Sequence, residues 1–139
     1  MEGSSLEWRV PSIVTRDALL RRPWWKMVVY KIVATEEWAE AEAAGVFTGA
    51  SVDRADGFIH FSTGEQTPDT AAKWFAGRED LTLAAIDAEA LGKDLRWEPS
   101  RGGALFPHLY GALPMSAVVW SRPLPLGSDG RHVFGGLET

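Results

Sequence analysis

The amino-acid sequence predicts a single α+β domain with a mixed or antiparallel sheet. Short β-branched runs alternate with two capped helical segments in the order β-α-β-α-β, and only extended segments follow. The chain has 139 residues, the length of one domain with its own core. We expect about five to seven strands and two main helices.

The first half of the domain contains two predicted strands and one helix. The β-branched run at 27–34, MVVYKIVA, predicts the first strand. In the next segment, TEEWAEAEAAG, Thr35 is the expected N-cap, two glutamates suit the positive helix N-terminus, and Gly45 ends the helix. The polar stretch at 47–57 is predicted to be a loop that closes with an Asp-Gly turn, and the strand that contains His60 follows.

The second half begins with a helix and continues as strands. In TPDTAAKWFAG, Thr67 is the expected cap and Pro68 takes the first helical position. Strands are predicted for LTLAAID, LRWEPS and SAVVWSRPL, with a turn or one helical turn at EALGKD. The segment ALFPHLYG contains Pro107, which cannot donate to a sheet ladder, so we expect an edge strand or an irregular segment. Trp97 and Trp120 are interpreted as core residues.

The compact domain is expected at residues 27–122. Residues 1–26 have no clean periodicity and carry five Lys or Arg against three Asp or Glu, so they are predicted to be an arm outside it. Residues 123–139 are rich in glycine and are predicted to form a tail. Residues 27–139 carry nine Lys or Arg against sixteen Asp or Glu, so the body of the protein is acidic.

The composition excludes several kinds of function. The chain has no cysteine, so disulfides, zinc–thiolate sites and cysteine nucleophiles are excluded, and a cytoplasmic location is expected. A net charge of −5 without a basic stripe argues against binding of duplex nucleic acid. No apolar run has the length needed to cross a membrane. With duplex nucleic acid and membranes disfavoured, the partner that we consider is a small-molecule ligand.

A histidine interrupts the short apolar segment DGFIHFST. Successive side chains of a strand point to opposite faces, so Phe58, His60 and Ser62 share one face and Ile59 lies on the other. An imidazole next to a hydroxyl is suited to a functional site. The alternative is a histidine at the edge of the core that is held by one hydrogen bond.

A second segment, RWEPSRGGALFPHLYG, contains most of the remaining polar chemistry. In an extended chain Arg96 and Glu98 lie on one face, and further along His108 and Tyr110 share a face. Between them, the turn around Arg101 brings two glycines, Gly102 and Gly103, whose backbone N–H groups suit an anion. The alternative is a plain hairpin in which Glu98 pairs with one of the two arginines.

These two motifs, together with YKI at the start of the domain, resemble the bacterial domain-of-unknown-function family 952 over about residues 28–122. The resemblance implies an ADP-ribosylation-like fold, a split α+β sheet around a cleft, which is also the fold of the RNA 2′-phosphotransferases that use NAD. It further implies that His60 matches the early-strand histidine that contacts the nicotinamide ribose. Glu98 is a candidate for the acidic role by its chemistry, and NAD is a candidate cofactor by analogy of fold.

Three interpretations of the function follow. In the first, the protein is a transferase-like enzyme for a ligand that contains phosphate or ribose, with His60 and Glu98 as the catalytic pair. The expected binding residues are then Ser62, Arg96, Arg101, Gly102, His108 and Tyr110. In the second, the same cleft binds an anion or nucleotide without catalysis. Metal binding by two histidines and Glu98 ranks last, because their spacing has no ligand signature, and no metal site is predicted.

Overall fold

A computed structural model describes residues 28–100 and 102–137. The largest sheet joins three strands, β1 (Val28–Ala34), β4 (Leu81–Asp87) and β8 (Val118–Pro123), in the antiparallel order β1-β4-β8. Almost every residue of β1 and β4 is buried. A strand that is covered on both faces of its sheet has a continuous apolar sequence without polar alternation, and β1 and β4 both approach this pattern.

A second sheet has the order β3-β6-β5 and is also antiparallel. It consists of β3 (Ile59–His60), β6 (Ala104–Leu109) and β5 (Leu95–Ser100). One pair of residues connects the two sheets: Tyr30 of β1 and Ser62, two residues after the end of β3, exchange backbone hydrogen bonds of 2.7 and 2.9 Å. His60 is therefore held close to the middle of β1.

The prediction that Pro107 belongs to an edge strand is wrong, because β6 is the central strand of its sheet. The carbonyl of Pro107 accepts a hydrogen bond of 2.9 Å from the N–H of Phe61, just beyond the last residue of β3. Pro107 has no N–H to donate toward β3, but β3 ends at His60, so the missing donor lies beyond the end of that short strand. A short partner strand lets a central strand tolerate proline.

Three α-helices are present in the described residues, α1 (Thr35–Ala44), α2 (Ser51–Asp56) and α3 (Thr67–Trp74). Helix α1 ends at Gly45 with a φ of 84°, as predicted. Helix α2 replaces the predicted loop. It forms because the Asp53 carboxylate accepts the backbone N–H of Ala50 at 2.8 Å, a local cap that holds the first turn.

The prediction that Thr67 is the N-cap of α3 is wrong, because Thr67 is the first residue of the helix. The hydroxyl of Thr67 donates to the carbonyl of Thr63 at 2.7 Å. Thr63 and Gln66 exchange the reciprocal bonds of a capping box, from each backbone N–H to the other side chain. The turn that precedes the helix therefore supplies the cap.

The remaining elements close the domain. A two-stranded sheet pairs β2 (Val46–Phe47) with β7 (Leu113–Pro114), and 3₁₀ turns occupy Ala88–Asp94 and Met115–Ala117. The described residues thus contain eight strands, more than the sequence predicts, and all the pairings are antiparallel. The α+β class with antiparallel sheets is confirmed. None of the described helices is long and apolar enough to span a bilayer.

Hydrophobic side chains fill both faces of the β1-β4-β8 sheet. Trp120 belongs to this core as predicted, whereas Trp97 is 47% exposed and the prediction for it is wrong. The segment that follows β8 also packs here: Leu124 is buried, and Phe134 and Leu137 lie against the same cluster as Trp120. The segment assigned to a tail in the sequence therefore contributes to the core.

Candidate functional site

A buried carboxylate lies at the base of the candidate site. Asp53 on α2 is only 1% exposed and accepts the backbone N–H of Ala50 at 2.8 Å and of His60 at 3.1 Å. The ammonium of Lys31 on β1 reaches it at 3.0 Å, and Nδ1 of His60 lies 2.6 Å from its Oδ1. Each oxygen of this carboxylate therefore has fixed partners.

The electrostatics of this group follow from its burial. Burial alone would raise the pKa of Asp53, but the hydrogen bond from His60, the charge of Lys31 and the amide of Ala50 together hold that pKa well below its usual range. Burial lowers the pKa of Lys31, and the attraction of Asp53 opposes this. Removing either member would leave the other as an unpaired buried charge and destabilise the fold.

The imidazole of His60 extends from this base toward solvent, and its side chain is 33% exposed. Its second nitrogen, Nε2, lies 2.9 Å from Oδ2 of Asp56, the last residue of α2, which is 48% exposed. Both ring nitrogens thus face carboxylates, one buried and one accessible. An imidazole oriented at Nδ1 by a buried carboxylate is suited to proton transfer at Nε2.

A second imidazole–carboxylate pair lies on the neighbouring strands. Nδ1 of His108 on β6 is 2.8 Å from Oε1 of Glu98 on β5, and the hydroxyl of Tyr110 donates to the same oxygen at 2.8 Å. The guanidinium of Arg96 stands over the Tyr110 ring at 4.7 Å. The bonds from His108 and Tyr110 lower the pKa of Glu98, and the bond to Glu98 raises the pKa of the Tyr110 phenol.

Phe58 joins the two pairs into one cluster. Its ring stacks on His108 with a centroid distance of 4.1 Å and contacts His60 at 4.6 Å and Tyr110 at 5.2 Å. The two imidazoles are direct partners across β3 and β6, with their centroids 5.5 Å apart. We call this group the two-histidine cluster; it comprises Lys31, Asp53, Asp56, Phe58, His60, Arg96, Glu98, His108 and Tyr110.

The structure brings together five of the eight residues that the sequence singles out: His60, Arg96, Glu98, His108 and Tyr110. The other three are Ser62, Arg101 and Gly102. Ser62 is buried elsewhere, with its hydroxyl 2.9 Å from that of Thr70. Gly102 lies in the exposed β5–β6 turn with a φ of 72° and open space around it. Arg101 lies outside the described residues.

Four members of the cluster were not predicted, namely Lys31, Asp53, Asp56 and Phe58. Lys31 carried a signal, because a lone lysine in the middle of a β-branched strand must find a partner when the strand is buried. The two aspartates carried none, because the polar segment around them reads as a loop. The strand alternation places Phe58 on the face of His60 but indicates no role for it.

A cavity in the domain lies apart from the cluster. That cavity has a volume of about 720 Å³ and lies between α1, the start of β4 and the end of β8, with Thr35, Trp38 and Arg122 among its lining residues. None of the predicted site residues that the structure describes lines it. We base the candidate site on the hydrogen-bonded geometry of the cluster, because paired titratable groups indicate chemistry more directly than volume does.

The described residues hold no group of three or more potential ligands arranged for a metal ion. The groups of the cluster are suited to hydrogen bonding and proton transfer. The cluster presents one oriented imidazole, two partly exposed carboxylates, a phenol and a guanidinium around an aromatic ring.

Comparison with solved structures finds a protein of similar sequence and fold. The crystal structure of protein CC0527 from Caulobacter crescentus is 54% identical, covers 76% of this chain and 93% of that chain, and has a TM-score of 0.73. A crystal structure of a double mutant of that protein is 52% identical over the same shares, also with a TM-score of 0.73. Its solution NMR structure is 54% identical, covers 76% and 90%, and has a TM-score of 0.69. No curated protein matches the chain.

The sequence model of a protein family matches residues 32–121. This range contains β3, β5 and β6, and therefore both imidazole–carboxylate pairs. The family resemblance carried by the motifs around His60 and His108 is confirmed. The chain belongs to the family described as "Protein of unknown function (DUF952)".

Proposed function

We propose that the two-histidine cluster is the active site of a transferase-like enzyme that acts on a small molecule containing ribose or phosphate, with NAD as the first candidate. One observation carries the proposal. The buried carboxylate of Asp53 fixes Nδ1 of His60 at 2.6 Å, and the ring, which is one-third exposed, directs Nε2 toward the accessible carboxylate of Asp56. Such an arrangement prepares one ring nitrogen for proton transfer.

The roles of the individual residues follow from their exposure. His60 orients a ribose hydroxyl, and Glu98, which is 34% exposed, acts as the base that activates the nucleophile. Arg96 and Arg101 contribute positive charge for a phosphate. Phe58 and Tyr110 offer aromatic faces for a flat ring.

The proposed fold relationship to ADP-ribosyltransferases belongs to the same proposal. Two antiparallel sheets joined at Tyr30 and Ser62 are compatible with a split sheet, and His60 lies on an early, short strand at that junction. Likeness of fold raises the expectation of NAD chemistry without establishing it.

A second candidate function, a binding module without turnover, is favoured by a different observation. Both nitrogens of His60 already face carboxylates, so the ring has no free position until Asp56 moves. In this case the cluster binds its ligand through hydrogen bonds and leaves it unchanged. A thermal-shift screen over nucleotides and sugar phosphates detects a ligand for either function.

Release of nicotinamide from excess NAD separates the two functions. We expect release by the wild-type protein and a loss of about 10²–10⁴-fold in His60→Gln, the usual contribution of one acid–base group. Glu98→Gln tests the second role. Matched controls are His132→Gln and Glu65→Gln, which change the same residue types outside the cluster. A ligand that shifts the melting temperature without any release of nicotinamide or conversion of the ligand supports the binding module.

A further inference from the structure

We infer that the carboxylate of Asp56 occupies the position of an anionic ligand group, so that the site takes a carboxylate or phosphate oxygen at Nε2 of His60 in place of Asp56. This inference deepens the function proposed above and rests on the same site. It identifies the part of the ligand that meets His60, which the roles assigned above leave open.

The first argument is the geometry at the two ring nitrogens. Nδ1 of His60 is hydrogen-bonded to Asp53 at 2.6 Å, and Nε2 lies 2.9 Å from the carboxylate of Asp56. An ionised carboxylate can only accept a hydrogen bond, so an anionic oxygen at Nε2 is favourable when that nitrogen carries a proton. The proposed ligand oxygen therefore takes the place of Asp56 at a protonated Nε2.

The second argument is the balance of charge. When His60 is protonated, Lys31 and His60 contribute two positive charges around the single negative charge of Asp53. These three groups then have one positive charge in excess, and Asp56 supplies the anion that balances it. An anion from solution could do the same, with a charge-assisted hydrogen bond to Nε2.

The third argument is the difference in how firmly the two aspartates are held. Asp53 is buried and makes four hydrogen bonds with three residues, whereas Asp56 is 48% exposed. Asp56 is also the last residue of α2, directly before Gly57, whose φ of 88° ends the helix. Its side chain can turn into solvent without breaking the helix, so the contact with His60 is replaceable.

The groups around this position also suit an anion with an apolar or flat body. Phe58 covers one side of the His60 ring, and His108 stands edge-on to it at 5.5 Å. The charge of Glu98 is offset by Arg96 nearby, so it adds little net repulsion. Asp56 is therefore the principal competitor for the anion.

The test compares phosphate binding in three proteins, wild type, Asp56→Ala and Glu65→Ala, by NMR of the histidine ring nitrogens. The chain has three histidines, so single substitutions assign the signals. The titration is run at about pH 6, below the ordinary pKa of imidazole. We expect phosphate to bind Asp56→Ala about ten-fold more tightly than wild type, with the shift at His60. Acetate, titrated in the same way, shows whether any anionic oxygen suffices.

Glu65→Ala removes the same charge from an exposed position and is expected to change affinity by less than about two-fold. Adding His60→Gln to Asp56→Ala is expected to abolish the gain. Equal phosphate affinity in the Asp56 and Glu65 variants, or a gain that persists without His60, would overturn the inference. Its failure is distinct from that of the enzyme proposal, because NAD turnover by the wild type with no phosphate effect in Asp56→Ala would leave that proposal intact.

Discussion

The two imidazole–carboxylate pairs have similar hydrogen bonds but opposite burial. In the first, the carboxylate of Asp53 is buried and the imidazole of His60 is one-third exposed. In the second, the imidazole of His108 is 6% exposed and the carboxylate of Glu98 is one-third exposed. The buried member of each pair fixes the exposed one. One pair therefore presents an imidazole at the surface and the other presents a carboxylate, so removing the carboxylate should cost much more stability in the first pair than in the second.

The largest expected effect comes from the buried carboxylate. Asp53→Asn removes the negative charge that compensates Lys31, which is buried on β1, and leaves an unpaired cation in the core. We expect the free energy of unfolding to fall by about 3–5 kcal/mol, measured by denaturant unfolding. Asp56→Asn is the matched control, because Asp56 contacts the same imidazole from the surface. It should cost less than about 1 kcal/mol.

A second variant identifies the cause of that loss. Combining Asp53→Asn with Lys31→Met removes the unpaired cation while keeping its volume apolar. The double variant is expected to be more stable than Asp53→Asn alone. If adding Lys31→Met to Asp53→Asn lowered stability further, the loss would have to come from the hydrogen bonds to Ala50 and His60 instead.

The next effect is on the acid side of the stability curve. The folded-state pKa values of Asp53 and Glu98 are both depressed, so each carboxylate contributes stability that is present above its ordinary pKa, about 4. That contribution is lost as the pH falls through the folded-state pKa. Unfolding measured between about pH 7 and pH 2 should show a shallower acid slope in Asp53→Asn. Glu98→Gln should show a smaller change, since solvent screens that carboxylate; an equal change would contradict the contrast between the pairs.

The smallest effect is on the phenol of the second pair. The pKa of Tyr110 is raised by its bond to Glu98, so the stability it contributes is present below the ordinary tyrosine pKa and is lost as the pH rises through the raised value. Glu98→Gln should move the Tyr110 titration down toward the ordinary value, measured by phenolate absorbance. The chain has two tyrosines, and Tyr110→Phe assigns the signal. A titration unchanged in Glu98→Gln would show that the bond does not persist in solution.

Patterns within a segment were enough to predict part of this molecule. The end of the helix at Gly45 depends on local spacing, and the sequence predicts it correctly. The sequence also places His108 and Tyr110 on one face of an extended segment, but their hydrogen bonds to Glu98 join two strands and are not predicted. Asp53 could not be predicted in the same way, because its burial depends on Lys31, 22 residues away. The prediction that Trp97 is a core residue is wrong for a related reason. Its hydrophobicity suggests the core, but it lies on β5, an edge strand of its sheet, and is exposed.

Buried residues at both ends of the domain lie outside the range that matches the family model, so the folded domain is longer than the matched range. The matched range is 32–121, yet Lys31 lies one residue before it and fully buried Leu124 lies three residues after it. A fragment trimmed to the matched range would lose the ammonium that pairs with Asp53 and the side chain that closes one end of the core. Anyone who excises this domain for study, or grafts it into a fusion, should therefore set its ends by buried contacts and keep at least residues 28–137.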